Sequence, residues 1–266
     1  MKFTDNLQLR IGLFLLTLVL TGLLLSLLLN GVRFDLQIHH RLENSSSSFV
    51  LGTDDLGRDL LSCIICGTGV SLLLSLVVIL LTAVTGTAVG MIAGLSGGTV
   101  DTILMRLTDF VLSFPGILLV IALVSFLGQG FSNLIVAFSC TGWAGTARMV
   151  RGIVLAQRQK DFILAARSYN AAPFRIVIHH LLPIAFPLVV VQVTLGISAV
   201  IVAESSLNFL GLGLDPRIPT LGQLIDAGRG HLFDRPQLVI FPGVVLALLI
   251  MSFHFLGEGL KGLRRE

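Results

Sequence analysis

The sequence predicts an all-α polytopic membrane protein with six transmembrane helices, and three observations support this. Of its 266 residues, 54% are hydrophobic and only 12% are charged, about half the charged share of a typical soluble domain. The mean hydropathy is +0.94. The apolar residues also form runs that are long enough to cross a bilayer, which takes about 20 residues.

The apolar runs and the residues that interrupt them locate the six spans. We place the spans at residues 11–32, 71–95, the two halves of 110–147, 182–203 and 237–257. The run 110–147 is too long for one helix, and small and polar residues divide it into a tight hairpin: Gly128, Gly130, Ser132 and Asn133. The apolar ends that flank span two look interfacial, and the later end is rich in glycine.

The charge distribution predicts that both termini are cytoplasmic. In that orientation the inner segments carry 12 of the 18 Lys and Arg residues, and the outer segments carry nine of the 15 Asp and Glu residues. Lys and Arg are enriched in the cytoplasmic loops of membrane proteins. Because the positive charges sort by membrane side, the net charge of +3 does not indicate a nucleic-acid partner. The outer loops, at 33–59 and 204–235, are long enough to receive a soluble protein.

The loop between spans four and five is long and basic, and we expect it to be ordered. A single acid, Asp161, accompanies its basic residues: Arg148, Arg151, Arg158, Lys160, Arg167 and Arg175. Asp161 is expected to cap a short helix that ends at Ser168. Asn170 is expected to form a turn, since Asn tolerates the left-handed conformation, and Pro173 to begin a second helix.

Leu182 and Pro183 mark the predicted re-entry of this loop into span five. Small residues such as Ala165 and Ala166 would let the protruding loop approach another surface closely. From the residues alone, two interpretations stay open: the loop docks on a soluble protein, or it lies on anionic lipid as a basic amphipathic surface.

Six blocks of the sequence, taken in order, resemble the inner-membrane permease subunits of ATP-binding-cassette importers. More narrowly, the chain looks like the C-type permeases of the dipeptide, oligopeptide and nickel group. The blocks are LGTDDLGRDLLS at 51–62, AGLSGGTVDTILMRLTDFVLSFP at 93–115, WAGTARMVRG at 143–152, the loop at 164–183, ESSLNFLGLG at 204–213 and FPGVVLALLIMSFHFLGEGLKGLR at 241–264.

This resemblance implies the type I importer permease fold and a function in ATP-driven import of dipeptides or oligopeptides across the bacterial cytoplasmic membrane. It implies a homologous second permease, two ATP-binding-cassette ATPase subunits, an extracytoplasmic solute-binding protein and surrounding lipid as partners. We expect no cofactor in this chain, with ATP and Mg bound by the ATPases. The sequence has no G-x-x-x-x-G-K-[ST] loop and no catalytic set, so the chain is not expected to be an enzyme.

The resemblance also divides the chain and assigns a coupling role. Residues 1–50 hold span one and the start of an external loop, and residues 51–266 form a permease core with a cytoplasmic coupling loop at about 155–182. The residues that match the family's coupling signature are Leu164, Ala165, Ala166, Asn170, Leu182 and Pro183. Leu164 stands where the family has Glu, and Asn170 where it has Gly. We expect Ala166 to face water until the loop docks in the ATPase groove.

Two outer segments each admit two roles. Asp54, Arg58 and Asp59 either cap and orient a short interfacial helix before span two or contact the solute-binding protein. Glu204 is costly near hydrocarbon unless it is paired or hydrated. With Asn208 and Phe209 it either lines the translocation pathway as a gate or caps the outer end of span five.

Charged residues near the inner ends of the spans also leave two roles open. Arg148 and Arg151 either anchor span four at the lipid headgroups or pair with Asp101 or Asp109.

We expect no metal site. The pair Cys63 and Cys66 cannot close a four-ligand zinc site, and His179, His180 and His254 have no ligand spacing. Nickel or a metal chelate remains an alternative cargo for the same machine. An ion-coupled secondary carrier would show charged or broken helices near the midplane, and the spans are almost free of charge. A noncatalytic membrane scaffold is the remaining alternative.

Overall fold

The computed structural model describes residues 6–30, 40–46, 49–215 and 217–262, and most of them are helical. The helices are α1 (Leu7–Asn30), α2 (Leu60–Ser96), α3 (Gly98–Ser113), α4 (Gly116–Leu127), α5 (Phe131–Gln157), α6 (Asp161–Ser168), α7 (Pro173–Ile176), α8 (Leu182–Phe209), α9 (Leu221–Arg229) and α10 (Gln237–Gly262). The predicted all-α fold is confirmed. Several residues of the charge and loop predictions lie outside the described residues: Lys2, Arg33, Arg264, Arg265, 31–39 and 47–48.

Within the described residues, each predicted span overlaps one helix, except span three, which overlaps two. Among the described residues, three helices are long and apolar enough to cross a membrane alone: α2, the continuous helix Pro173–Phe209 and α10. Helices α3 and α4 are long and apolar enough to cross a membrane only when they are taken together. The pair is bent by 89°. Helices α1 and α5 lie where spans one and four were predicted. We call the end of the bundle that holds residues 155–182 the basic end, and the end that holds 49–59, 210–215 and 217–236 the opposite end.

Helix α2 is longer than the predicted span at 71–95. It begins at Leu60 because Asp59 caps it: the Asp59 carboxylate accepts a hydrogen bond of 3.0 Å from the Ser62 N–H. The interfacial location of its glycine-rich end stays a prediction, but several of these glycines pack against α5. An added Cβ at Gly86, Gly90 or Gly94 would lie within 3 Å of α5 atoms, so these glycines let the two helices pack closely, as small residues do in membranes.

Span three is not one helix. Phe114 adopts an extended conformation, with φ −92° and ψ 143°, between α3 and α4. Pro115 causes this, because the residue before a proline is driven out of the α region. With only 12 residues, α4 is about 18 Å long at 1.5 Å per residue.

The buried core forms three clusters that follow α2 from one end to the other. The cluster at the opposite end joins α1, α2, α9 and α10 and includes Leu60, Ile64, Leu221 and Leu249. The middle cluster joins α2, α4, α5 and α8 and includes Leu74, Val124, Phe138 and Leu207. The cluster at the basic end includes Met91, Val150, Val154, Ile163, Ile176 and Leu181. Helix α2 therefore organises the whole bundle.

Candidate functional site

The predicted coupling segment, residues 155–182, folds at the basic end as a short helix, a turn and a second helix. Asn170 has a φ of 57°, the left-handed turn that was predicted, and Pro173 is the first residue of α7. Asp161 lies in the first turn of α6 instead of capping it. The residue at the N-cap position is Lys160, whose carbonyl accepts the first backbone hydrogen bonds of the helix from Ile163 and Leu164.

One face of the coupling segment is anchored to the transmembrane helices. Ile163 of α6 and Ile176 of α7 are buried against Met91 of α2 and Val154 of α5. Protein interiors are close-packed and transmit displacement between neighbours. The segment and the basic ends of α2 and α5 therefore form one packed unit.

Among the described residues of the coupling segment, five large apolar side chains are exposed, and three of them stand out by the exposed fraction of the side chain. Leu164 is 47% exposed, Tyr169 87% and Phe174 73%. We call these three residues the docking residues. Exposed apolar patches are typical of protein or membrane interaction sites.

The burial of Ala166 corrects the expectation that it faces water. Ala165 is exposed, but Ala166 is partly buried against the cluster at the basic end. Helical residues three apart share a face, so Ala166 follows Ile163 into the core. An Asp at this position would disturb the permease itself, so it could not separate docking from folding.

The departure from Gly at Asn170 keeps the turn that the family's pattern requires. Asn is one of the few residues besides Gly that adopts the left-handed region readily. The Ala171 N–H donates to the Ala166 carbonyl at 3.1 Å and closes the end of α6.

The re-entry at Leu182 and Pro183 is a continuous helix with one wide turn. Residues Val177–Leu181 form a π turn, in which the Leu182 N–H donates to the Val177 carbonyl five residues earlier. Pro183 has no N–H and its ring would clash with the carbonyl four residues back in a regular helix. The wide turn accommodates the proline, and α7 runs directly into α8.

Two ion pairs join α3 to α5 near the basic end, so of the two roles left open for the arginines, the structure shows pairing. Arg151 donates from Nε and Nη2 to the two carboxylate oxygens of Asp101 at 2.5 and 2.6 Å. Arg148 pairs with Asp109. Arg158, at the end of α5, donates to the Gly94 carbonyl of α2 at 3.3 Å.

At the opposite end, the predicted external motif folds into the cap of α2. The Asp54 carboxylate accepts from the Leu56 and Arg58 N–H groups and from Arg58 Nε at 2.7 Å. Asp59 caps α2 directly, and no separate interfacial helix intervenes in the described residues between them. Contact with a solute-binding protein stays a prediction.

Glu204 is buried within this chain and does not reach an open surface in this structure. Ser71 Oγ donates to Glu204 Oε2 at 2.8 Å, and Asn208 Nδ2 donates to Oε1. Asn208 Oδ1 accepts from the Leu214 N–H at 2.8 Å. This network connects α2, α8 and the chain that follows α8. The gate role for Glu204, Asn208 and Phe209 stays a prediction.

We expect Asn208→Ala to lower the thermal stability of the purified permease. The change removes one donor from Glu204 and leaves the Leu214 N–H without its acceptor, which costs about 1–3 kcal/mol for a buried group. Thermal unfolding in detergent measures the effect. Ser206→Ala on the same helix is the control, because Ser206 is exposed and bonds only to the Val202 carbonyl. Equal melting temperatures for the two variants would contradict the network's role.

Helix α9 was not predicted, although a signal was present. Thr220 and Gln223 match the capping-box pattern, and Thr220 Oγ1 accepts from the Gln223 N–H at 3.3 Å. Between α8, α9 and α10 lies an open apolar cleft of about 370 Å³ that Phe209 and Ile225 help to line. Phe209, a predicted gate residue, therefore lies at this cleft.

Within the described part of the chain, no group of three or more His, Cys, Asp or Glu side chains could hold a metal ion. Cys63 is buried, Cys66 is partly buried and Cys140 is exposed.

Comparison with known proteins identifies similar sequences over most of the chain. Residues 86–262 match the family described as binding-protein-dependent transport system inner membrane component. The chain is 38% identical over 219 residues to the glutathione transport system permease protein GsiD of Pectobacterium atrosepticum, covering 82% of this chain and 73% of that protein. It is 35% identical over 219 residues to the dipeptide transport system permease protein DppC of Haemophilus influenzae, covering 82% and 74%.

A third relative and a solved structure extend the comparison. The nickel transport system permease protein NikC of Escherichia coli K12 is 35% identical over 221 residues, covering 83% of this chain and 80% of that protein. A chain from inward-facing structures of the MetNI methionine ABC transporter superposes with a TM-score of 0.62 at 22% identity, covering 76% of this chain and 97% of that chain. At that identity the superposition establishes the fold alone.

Proposed function

The chain belongs to the family of binding-protein-dependent transport system inner membrane components, the permeases of ATP-binding-cassette importers, and we propose that it moves dipeptides or oligopeptides. It is a multi-pass protein of the inner membrane, and its family works with ATPase and solute-binding partners. The relatives named for dipeptides support peptides as the cargo. The relative named for nickel favours a second candidate, nickel or a metal chelate.

One observation carries the coupling role in this proposal. The coupling segment is anchored by Ile163 and Ile176 to the transmembrane core while Leu164, Tyr169 and Phe174 stay exposed. The segment therefore has exposed apolar side chains that a partner can bury, and it is attached rigidly to the transmembrane core. Such a segment is suited to pass movement from the ATPases to the helices. Leu164 replaces the Glu of the family pattern, so docking here depends on apolar packing more than on charge.

The proposed machine contains this chain, a homologous second permease, two ATPases and a solute-binding protein. The binding protein delivers solute at the opposite end of the bundle. ATP, held with Mg by the ATPases, brings those subunits together, and the coupling segments carry the movement to the helices. Solute then crosses by alternating access.

The cargo is tested with the complete complex in proteoliposomes. Radiolabelled dialanine, glutathione and Ni²⁺ are supplied one at a time with the cognate binding protein and internal ATP. We expect ATP-dependent uptake of dialanine. Uptake of Ni²⁺ alone would support the second candidate, and uptake of none of the three would contradict both. Mass spectrometry of the solute that co-purifies with the binding protein gives an independent identification.

We predict that the basic end is cytoplasmic and that both termini lie on that side. A cysteine at Ser45 should react with an impermeant maleimide added to intact spheroplasts, whereas one at Tyr169 should react only after the membrane is opened. Both positions are exposed, so access and not burial decides the labelling. The background carries Cys140→Ser because Cys140 is exposed. The reverse labelling pattern would contradict this orientation.

We also predict that the purified chain releases phosphate from ATP only at background rate, because its sequence has no phosphate-binding loop. Hydrolysis is measured after each purification step. A rate that co-elutes with the pure chain, and persists when trace ATPase is removed, would contradict this prediction.

A further inference from the structure

Helix α3 has little apolar attachment to the rest of the chain. Of the residues that the structure describes in α3, only Thr108 is buried, while Ile103, Leu107 and Phe110 are exposed. Lipid is as apolar as these side chains, so burying them drives helix association only weakly in a membrane. Besides its direct connection to α2 through Gly97, polar contacts therefore contribute much of what holds α3 in place.

Those contacts are the two ion pairs to α5. The Asp101–Arg151 pair is bidentate, with side chains that are 14% and 31% exposed. The Asp109–Arg148 pair is more exposed. Asp101 and Asp109 are about two helical turns apart, and their partners follow in the opposite order along α5. One pair would leave a pivot, whereas two separated pairs fix the direction of α3 as well as its position.

Helix α5 is in turn packed with the coupling segment. Its residues Val150 and Val154 contact the cluster that buries Ile163 and Ile176. Arg151 lies within this same stretch of α5, about two turns before the helix ends at Gln157. A displacement of the coupling segment therefore reaches the arginines through close-packed side chains.

On its other side, α3 leads through the extended residue Phe114 and Pro115 into α4, at an angle of 89°. Val120 and Val124 of α4 pack into the middle cluster of the bundle. Helix α3 thus lies between a helix that moves with the coupling segment and a helix in the transmembrane core.

We propose that Asp101, Asp109, Arg148 and Arg151 are positioning residues that make α3 follow α5 when the ATPases close. The Phe114–Pro115 joint converts that movement into a displacement of α4. This inference deepens the proposed function and rests on it. It assigns the two ion pairs to transmission of movement, beyond a role in holding the fold.

The test measures movement directly in the complete complex with its ATPases and second permease. Spin labels are placed at Thr102 on α3 and Phe126 on α4, both exposed, in a chain whose native cysteines are replaced by serine. The distance between the labels is measured without nucleotide and with ATP, Mg²⁺ and vanadate. The variants are Asp101→Asn with Asp109→Asn, and the charge exchange Asp101→Arg with Arg151→Asp. Both variants keep the excess of Lys and Arg at the basic end, on which the orientation of the chain in the membrane depends.

We expect the nucleotide-dependent distance change to be present in the wild type, lost in the double Asn variant and retained in the charge exchange. Import of radiolabelled dialanine per ATP should fall about tenfold in the double Asn variant. The loss of a hydrogen bond to a charged group costs at least the free energy that corresponds to a tenfold change. The control is Glu258→Gln, which removes an acid paired with Lys261 within α10 and should behave as wild type.

Several outcomes would overturn the inference. These are a wild-type distance change in the double Asn variant, no change in the wild type, or an equal loss in Glu258→Gln. If neither the double Asn variant nor the charge exchange assembles, the pairs only hold the fold and the inference is wrong. Failure of the proposed cargo is distinguishable, because it appears as absent dialanine uptake in the wild type while the distance change persists.

Discussion

Leu164→Asp is expected to release the ATPases from the complex and to reduce import by about a hundredfold, while the permease itself folds normally. Leu164 is 47% exposed in the free chain, so a carboxylate there meets water. In the docked complex the same carboxylate would be desolvated without a partner, which costs about 2–3 kcal/mol or more. That energy corresponds to a factor of roughly 30 to 150 in binding. Retention of the ATPases on affinity-purified permease and ATP-dependent uptake measure the two effects.

Two variants make this result specific to docking. Leu164→Met keeps an apolar side chain of similar volume and should retain the ATPases. Ala166→Asp, two residues away and partly buried against the core, should lower the melting temperature of the free permease, which Leu164→Asp should not. If Leu164→Asp binds its ATPases fully and imports at the wild-type rate, this segment does not couple the subunits, and the basic loop is better explained by contact with anionic lipid.

Gly90→Ala is expected to lower the melting temperature of the purified permease sharply. An added Cβ at Gly90 would lie 2.6 Å from the Ala147 carbonyl oxygen and 2.8 Å from Val150 Cβ. The first of these atoms belongs to the backbone of α5, so relief requires the two helices to separate. Overpacking of this kind costs about 1–3 kcal/mol, and thermal unfolding in detergent measures it.

Gly69→Ala on the same helix is the matched control. Nothing lies within 4 Å of an added Cβ at Gly69, and Ala is favoured over Gly in a helix by about 1 kcal/mol. This variant should therefore match or exceed the wild-type stability. A similar loss in both variants would mean that α2 tolerates no substitution for a reason other than its packing on α5.

The elements that local chemistry determines were predictable from the sequence. Asn170 can adopt the left-handed region, and Pro173 suits a first helical turn, so the turn between α6 and α7 followed from residue types alone. The same holds for the break at Gly128 and Gly130, where α4 ends and α5 begins.

The elements that depend on a distant partner were not predictable. The packing role of the glycines at the end of α2 was not predicted, because hydropathy does not reveal that α5 lies against them. Ala166 was assigned to water because its helical face is determined by Ile163 and the core beneath it. Pro115 accounts for the break between α3 and α4, but the 89° bend depends on how the two helices pack.

The candidate site was predicted in a similarly uneven way. The motif around Arg148 and Arg151 identified residues that could pair with Asp101 or Asp109, and the structure determined that both pairs form. The network of Ser71, Glu204 and Asn208 could not be inferred, since Ser71 is 133 residues from Glu204 along the chain.

The direction in which the docking residues point around the helix axis depends on the number of residues in the stretch that contains the wide turn Val177–Leu181. An α-helix turns by about 100° per residue. Helix α7, the wide turn and α8 form one continuous helix. Deleting a single residue there would leave every remaining side chain chemically intact. It would nonetheless swing Leu164, Tyr169 and Phe174 through roughly a quarter turn about α8, away from a partner bound below. Over evolutionary time, substitutions in this stretch should therefore be tolerated far more often than insertions or deletions.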